Sequence, residues 1–406
     1  MSTLQLVETD RWPGIARTPN SPVRAAVARQ ILRRAVRDLP IVVLLPDGTR
    51  LGSGGIGAPV MEVVSEAFFH RIGAHLKIGF GEAYMAGDWR ADRSTDLADL
   101  LTVFASRLTD LVPPVLQRFR KLIEPRLAEQ NDRAGARQNI ARHYDLSNEL
   151  FAAFLDPTMS YSSAWFSPAD DDLESAQLRK IDGILDLAGV RTGSRVLEIG
   201  TGWGQLAIQA AQRGATVTSI TLSAEQRDLA RKRIAEAGVD ATVELRDYRE
   251  TEGQYDAVVS VEMIEAVGEQ YWPAYFATID RLLAPGGRFG LQSITMPHDR
   301  LLATRHAQGW IHKYIFPGGL IPSLTAIEQI ASTAGGLVVE TRRDLGADYA
   351  RTLQLWRERF VAQAPAVANL GFDAVFRRMW EFYLAYSEAG FRAGYLGVSQ
   401  LALVRS

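Results

Sequence analysis

"RVLEIGTGWGQLAIQAA", residues 195–211, decides the fold. Val196, Leu197 and Ile199 make the short apolar run of a strand buried on both faces. Gly200, Gly202 and Gly204 follow at once, and the chain then continues with a helical pattern through GQLAIQAAQRG. Glycines at such a turn let backbone N–H groups approach a ligand closely and face it from a helix N-terminus. The G-x-G-x-G spacing is not the dinucleotide fingerprint G-x-G-x-x-G, although the two share that logic. Glu198, two residues before the first glycine, is placed to orient the loop or a bound cation.

Outward from this loop, helix-like and strand-like segments alternate. LRKIDGILDLAG precedes it, and TVTSITL, AEQRDLARKRIAEAG, TVELRD, YDAVVSVEM, WPAYFATIDRLLAPGG and RFGLQSI follow. That alternation predicts a doubly wound α/β sheet. Residues 297–334 interrupt it with aromatic-rich sequence, and the tail from 335 supplies further strands and a helix near 370–391. Residues 1–135 have another character and are expected to form a smaller α+β domain, leaving 136–406 for the sheet. Within the first part, 41–54 reads as two strands around Pro46-Asp47-Gly48, while 65–89 and 96–124 read mainly as helices, the latter interrupted by Pro113-Pro114. The polar stretch 129–139 suits a linker.

Composition narrows the function. The chain has 406 residues, 47% apolar and 23% charged, with a net charge of −2, so nothing global indicates a nucleic-acid partner. It has no cysteine, which removes disulfides, thiolate nucleophiles and cysteine-bound metals. The six histidines (70, 75, 143, 298, 306, 312) show no metal-ligand spacing, and no metal is expected. MSTLQLVETDRWPG lacks the order of a signal peptide, and no apolar run approaches the ~18 residues of a membrane span. A cytoplasmic protein is expected. Residues 24–37 (RAAVARQILRRAVR) hold five arginines and no acid, so this segment is either a solvated helix face or a surface for anionic lipid.

The loops after the strands outline a nucleoside pocket. Thr221, Ser223 and Gln226 occupy the ribose zone after the second strand, where an acidic residue would indicate NAD. Asp247 and Tyr248 after the third strand suit an adenine amino group and ring. The fourth strand runs into "VEMIEA" (261–266), which puts Glu262 and Glu265 at its carboxyl end. These carboxylates mark either a solvated acidic turn or a ligand crevice at the strand ends; Glu262 is taken as a solvated or helix-capping charge, with a role in the site as the alternative.

The chain resembles the cyclopropane-fatty-acyl-phospholipid synthase family of S-adenosylmethionine-dependent methyltransferases. The blocks that carry the likeness are HYDLSNELFAAFLDPTMSYSSAWF (143–166), VLEIGTGWGQLA, ITLSAEQ, RDYRE, VSVEMIEAVG, HKYIFPGG (312–319) and GADYARTLQLW (346–356), in order. GFGEAYMAGDW (79–89) extends it into the N-terminal part, as in members acting on membrane phospholipid. The resemblance implies a Rossmann-like class I methyltransferase sheet with an acyl-chain-binding insertion near 297–334. It implies S-adenosylmethionine held by Tyr161, Ser162, Gly200, Thr201, Gly202, Trp203, Gly204, Thr221, Gln226, Asp247 and Tyr248. The family's reaction adds the sulfonium methyl to a cis alkene, and a base then removes a proton from the new methyl. Members commonly bind bicarbonate, as that base, through Cys, Glu, His and Tyr. Glu265 and Tyr349 match, whereas Ser163 stands at the cysteine and Gln292 at the histidine.

With that altered cage, the expected product is a methylene-branched acyl chain, the precursor of a methyl branch, with cyclopropane the alternative. Glu149 is a second acidic candidate beside Glu265. The expected substrate is an unsaturated phospholipid reached from the inner face of the membrane, with the arginine-rich segment aiding docking. A homodimer and a reductase acting on the product are partners the resemblance allows. Methylation of a small soluble molecule and catalytically silent lipid binding are the rival readings.

Overall fold

The computed structural model describes residues 11–107, 146–168 and 172–406. The expected helical sequence beyond Arg107, the 129–139 linker and His143 lie outside the described residues. The chain divides into two compact units. One takes the described parts of 1–127 together with 307–315 and 356–395, and the other takes those of 128–306 with 316–355 and 396–406. A single cut at residue 135 therefore does not separate them: Trp310 and the helix Ala374–Arg392 belong with the N-terminal unit.

In the N-terminal unit, α1 (Pro22–Val36) starts on a proline, whose missing N–H costs nothing in a first turn. It buries Ala25, Ala28, Leu32 and Val36 along one face. Val23, Arg24, Val27 and Arg34 are exposed, while Arg29 pairs with Asp47 and Glu66. The strands β1 (Val42–Leu44) and β2 (Arg50–Leu51) form the expected antiparallel pair, with Gly48 in the left-handed region at φ 83°. With β3 (Val60–Val63) and β4 (Trp89–Ala91) they make a sheet of order β2-β1-β3-β4. Helices α2 (Ala67–Ala74) and α3 (Leu76–Ala86) fill 65–89, and α4 (Leu97–Ser106) follows with Asp96 as its N-cap. The unit's three segments meet at Phe382, whose ring packs against Tyr84 at 5.3 Å, Trp310 at 4.9 Å and Trp89 at 6.2 Å. Trp356, Trp380 and Tyr383 are buried as well, so these aromatics are core.

The second unit contains α5 (Asn148–Ala152) and α6 (Leu173–Leu187), then β5 (Arg195–Ile199), α7 (Gln205–Gln212), β6 (Thr216–Thr221), α8 (Ala224–Ala237), β7 (Ala241–Leu245) and β8 (Tyr255–Val261). One helical turn, α9 (Ile264–Val267), leads to α10 (Trp272–Leu282), β9 (Leu283–Thr295), α11 (Leu324–Gly335), β10 (Leu337–Asp344), α12 (Gly346–Ala362, crossing into the other unit) and β11 (Gly397–Arg405). The strand order is β10-β11-β9-β8-β5-β6-β7, and β11 alone runs against its neighbours. Residues of the LAPGG stretch, expected to end a helix, begin β9 instead, and the β8–β9 register slips between Tyr255 and Ala257.

Both faces of the central strands are covered. Leu197 and Val258 pack into one cluster with Phe276 and Phe289, while Val196 and Val259 pack into the other with Ile184 and Ala207. Neighbouring residues of one strand point to opposite faces, so covering both yields a continuous apolar run. The strand order reverses between β5 and β8, which opens a crevice at their carboxyl ends.

Candidate active site

One end of the crevice is made of backbone. Gly200 and Gly202 sit at φ 99° and 51°, in the region that favours glycine. Gly200 and Thr201 both donate their N–H to the Ile220 carbonyl, pinning the loop to β6. Among the described residues, apart from its two chain neighbours, no atom lies within 4 Å of where a Gly202 Cβ would stand, so the loop surface is open. Gly204 differs: it caps α7, and a Cβ there would come 3.0 Å from that of Ala230. Its role is close helix packing, and it is absent from the crevice wall. Beneath the loop, Ser219 donates to Glu198 at 2.5 Å and lies 2.6 Å from Thr201 Oγ1. Burial pushes the Glu198 carboxyl up to about 8.

Side chains complete this end. Lys180 Nζ, on α6, donates to Ser162 Oγ at 2.6 Å, and burial pulls its pKa down to about 8. Tyr161 packs on Phe151, and Trp203 donates to Asn148 at 2.7 Å. Thr221 donates to Gln226 Oε1 at 2.9 Å, at the start of α8. Asp247 is gripped by Arg249 at 2.8 and 2.6 Å, and Tyr248 lies beside it, its hydroxyl without a hydrogen-bond partner among the described residues. An S-adenosylmethionine molecule fits this lining. The open glycine turn accepts a ligand against its backbone, Ser162 and Lys180 supply donors for a carboxylate, and Asp247 and Tyr248 offer an acceptor and a ring.

Glu262, also on the crevice wall, is held by groups from distant segments, of which Ser163, Gln292 and Tyr349 do not themselves line the crevice. Glu262 follows β8 at φ 51°, one of two non-glycine residues with positive φ among the described residues. Its Oε1 accepts from the Ser163 N–H at 2.9 Å and from Gln292 Nε2 at 2.8 Å, and its Oε2 accepts from the Tyr349 hydroxyl at 2.6 Å. Burial raises this carboxyl and its three donors oppose the rise. Gln292, on β9, is itself held: Gln400 of β11 donates to its Oε1 at 3.0 Å, and Arg343 donates to Gln400 Oε1 at 3.1 Å.

The carboxylate that Ser163, Gln292 and Tyr349 surround is therefore Glu262, where Glu265 was expected. Glu262 is neither solvated nor a cap. Glu265 sits behind it, accepting from the Ile294 N–H at 2.6 Å and the Ser293 hydroxyl at 3.0 Å. Burial, with the Glu262 charge nearby, pushes Glu265 up to about 8. Glu149 is exposed on the first turn of α5 and does not line the crevice. The expected cofactor residues other than Gly204 all line it, and Lys180, Glu262, Met263 and Arg249 do so unexpectedly. Nothing local in KIDG or VEMIEA singles out Lys180 or Glu262; only the tertiary fold does. Among the described residues no acidic, histidine or cysteine cluster could hold a metal.

Residues 131–401 match the family described as CMAS, mycolic acid cyclopropane synthetase. The chain is 52% identical over 415 residues to tuberculostearic acid methyltransferase UfaA1 of Mycobacterium tuberculosis, covering 98% of this chain and 96% of that one. It is 37% identical over 351 residues to cyclopropane-fatty-acyl-phospholipid synthase of Escherichia coli, covering 85% and 87%. Among solved structures, the mycolic acid cyclopropane synthase CmaA1 complexed with SAH and CTAB aligns with a TM-score of 0.61 and 31% identity, over 66% of this chain and 97% of that one.

Proposed function

The chain belongs to the mycolic acid cyclopropane synthetase family of S-adenosylmethionine-dependent methyltransferases, and from that premise we propose that it converts the cis double bond of an unsaturated phospholipid acyl chain into a methylene branch. The observation that carries this reading is the 52% identity to a tuberculostearic acid methyltransferase over nearly the whole length of both chains. Bound in the crevice, the cofactor supplies an electrophilic methyl group. Gly200, Thr201 and Gly202 hold its methionine end with Tyr161, Ser162 and Trp203, Thr221 and Gln226 take the ribose, and Asp247 and Tyr248 take the adenine. Ser163, Gln292 and Tyr349 hold a carboxylate beside the reacting carbon, where negative charge stabilises a developing cation. Glu265 positions the end of β9 through Ser293 and Ile294.

The N-terminal unit supports a peripheral place at the inner face of the membrane. No described helix is long and apolar enough to cross one. Val23, Val27 and Ile56 are exposed apolar side chains, and Arg24 and Arg34 are exposed on the same helix as the valines. An arginine near an anionic surface contributes on the order of 1 kcal/mol. Arg24→Glu with Arg34→Glu should therefore weaken binding to anionic vesicles at least tenfold in low salt. A self-associated chain and a reductase that consumes the methylene product complete the proposal.

The test is mass spectrometry of lipids from a host expressing the chain with methyl-labelled methionine. One added labelled carbon in a methylene-branched chain is the expected result. A ring-containing chain as sole product would establish the second reading, a cyclopropane synthase, which the 37% identity to the Escherichia coli enzyme favours.

A further inference from the structure

We propose that the Glu262 carboxylate is the catalytic base, taking the proton from the carbon added to the acyl chain. The proposal rests on the function argued above and adds the residue that finishes the reaction. Four observations converge on it. Glu262 lines the crevice alongside Tyr161, Ser162, Gly200 and Thr201, next to the space assigned to the reacting groups. It is held by donors alone: the Ser163 N–H, the Gln292 amide and the Tyr349 hydroxyl. These are the pairings that favour a charged carboxylate over a protonated one.

The orientation of the Gln292 amide is determined by its neighbours. Gln400 Nε2 donates to Gln292 Oε1, which leaves Gln292 Nε2 to donate toward Glu262. Arg343 feeds the same line by donating to Gln400 Oε1. A guanidinium and two amides thus point their donors in one direction, ending on one carboxylate. The positive φ of Glu262 is the fourth observation. A non-glycine residue there costs roughly 1–3 kcal/mol, and such strain persists where surrounding contacts over-determine it, often at active sites.

The rest of the cage cannot accept the proton in this arrangement, since the Ser163 backbone N–H, the Gln292 Nε2 and the Tyr349 hydroxyl all act as donors. Glu265 has one oxygen committed to Ile294 and Ser293, and it is absent from the crevice wall. The chemistry balances on the acyl chain. Addition of the methyl group to one alkene carbon leaves the neighbouring carbon cationic. A hydride moves from the methylated carbon to that neighbour, shifting the positive charge to the methylated carbon. A C–H bond of the new methyl then breaks, its electron pair becomes the second bond of the methylene group, and its proton goes to Glu262. Glu262 returns that proton to solvent before the next turnover. Removal of a methyl proton before the hydride shift, with ring closure, uses the same base.

The experiment compares Glu262→Gln and Glu262→Gly with the wild-type chain, using phospholipid vesicles with a monounsaturated chain and methyl-labelled cofactor. Glu262→Gln is expected to lower product formation at least 100-fold, with cofactor affinity by calorimetry changed less than threefold. Glu262→Gly relaxes the strained backbone and leaves a carboxylate-sized gap, and added formate is expected to restore turnover at least tenfold. Formate should have no such effect on wild type. Product formation by Glu262→Gln within threefold of wild type overturns the proposal, as does a folded, cofactor-binding Glu262→Gly whose turnover ignores formate. A wild-type chain that binds cofactor and labels no acyl chain overturns the proposed function instead.

Discussion

The two ends of the crevice are built by opposite means. The glycine end is a turn of main chain, and four or five consecutive residues define it. The carboxylate end gathers the Ser163 N–H and side chains of β9 and α12 around the Glu262 side chain at the end of β8, with β11 behind them. A main-chain site leaves a local signature, because glycine takes the backbone it needs without strain. A side-chain site leaves none, because its members come together only when the sheet and α12 are in place.

The strongest way to test this contrast is at Gly202. Valine there would put a branched Cβ at φ 51° and fill the open space above the loop. Cofactor affinity should fall more than 100-fold by calorimetry; unchanged affinity in a folded variant would show that the backbone does not hold the ligand.

Gln292→Leu probes the other end. It strips one donor from Glu262 and removes one of the two acceptors of the buried Gln400 amide, which keeps the Lys180 carbonyl, a cost of about 1 kcal/mol in stability. Turnover should fall at least tenfold while cofactor affinity stays within threefold. Equal losses in both would mean that the two ends act as one.

Glu265→Gln sharpens the electrostatics. The glutamine oxygen can keep the bonds from Ile294 and Ser293. A carboxyl pushed up to about 8 stays protonated in the fold at pH values where the unfolded chain has lost its proton. Its contribution to stability is therefore full below the ordinary carboxylate range and is lost as pH rises toward 8. Relative to wild type, the variant should gain on the order of 2 kcal/mol between pH 5 and 8, read by denaturant unfolding. A constant difference across that range would place the Glu265 pKa near its usual value. The smallest effect is expected at Tyr248→Phe. The hydroxyl has no hydrogen-bond partner among the described residues, so the ring alone matters and affinity should hold within twofold.

The sheet, the glycine loop and most of the crevice wall were legible because each depends on short-range pattern: apolar runs, a glycine turn, an Asp-Tyr pair after a strand. The carboxylate that Ser163, Gln292 and Tyr349 hold lies three residues before the expected one, for a physical reason. Glu262 and Glu265 share one sequence environment, and only Glu262 combines a left-handed backbone with a side chain held in the cage. Family likeness pointed to Glu265, which the fold sets one layer back. Gly204 is the converse case: it packs against Ala230 off the crevice wall, and a glycine placed for helix packing reads in sequence like one placed for a ligand.

The discontinuous N-terminal unit has a consequence for how the chain is made. Phe382 closes a core whose other walls are Tyr84, Trp89 and Trp310. During translation at ~5–20 residues per second, the early segments wait tens of seconds before that ring emerges. Throughout the wait their aromatic faces have no native cover. The sheet unit meanwhile emerges nearly whole before the first unit can close. Chaperone demand should therefore concentrate on the earliest-made part of the protein, and a graft of residues 1–127 into another host chain should aggregate unless 307–315 and 356–395 travel with it.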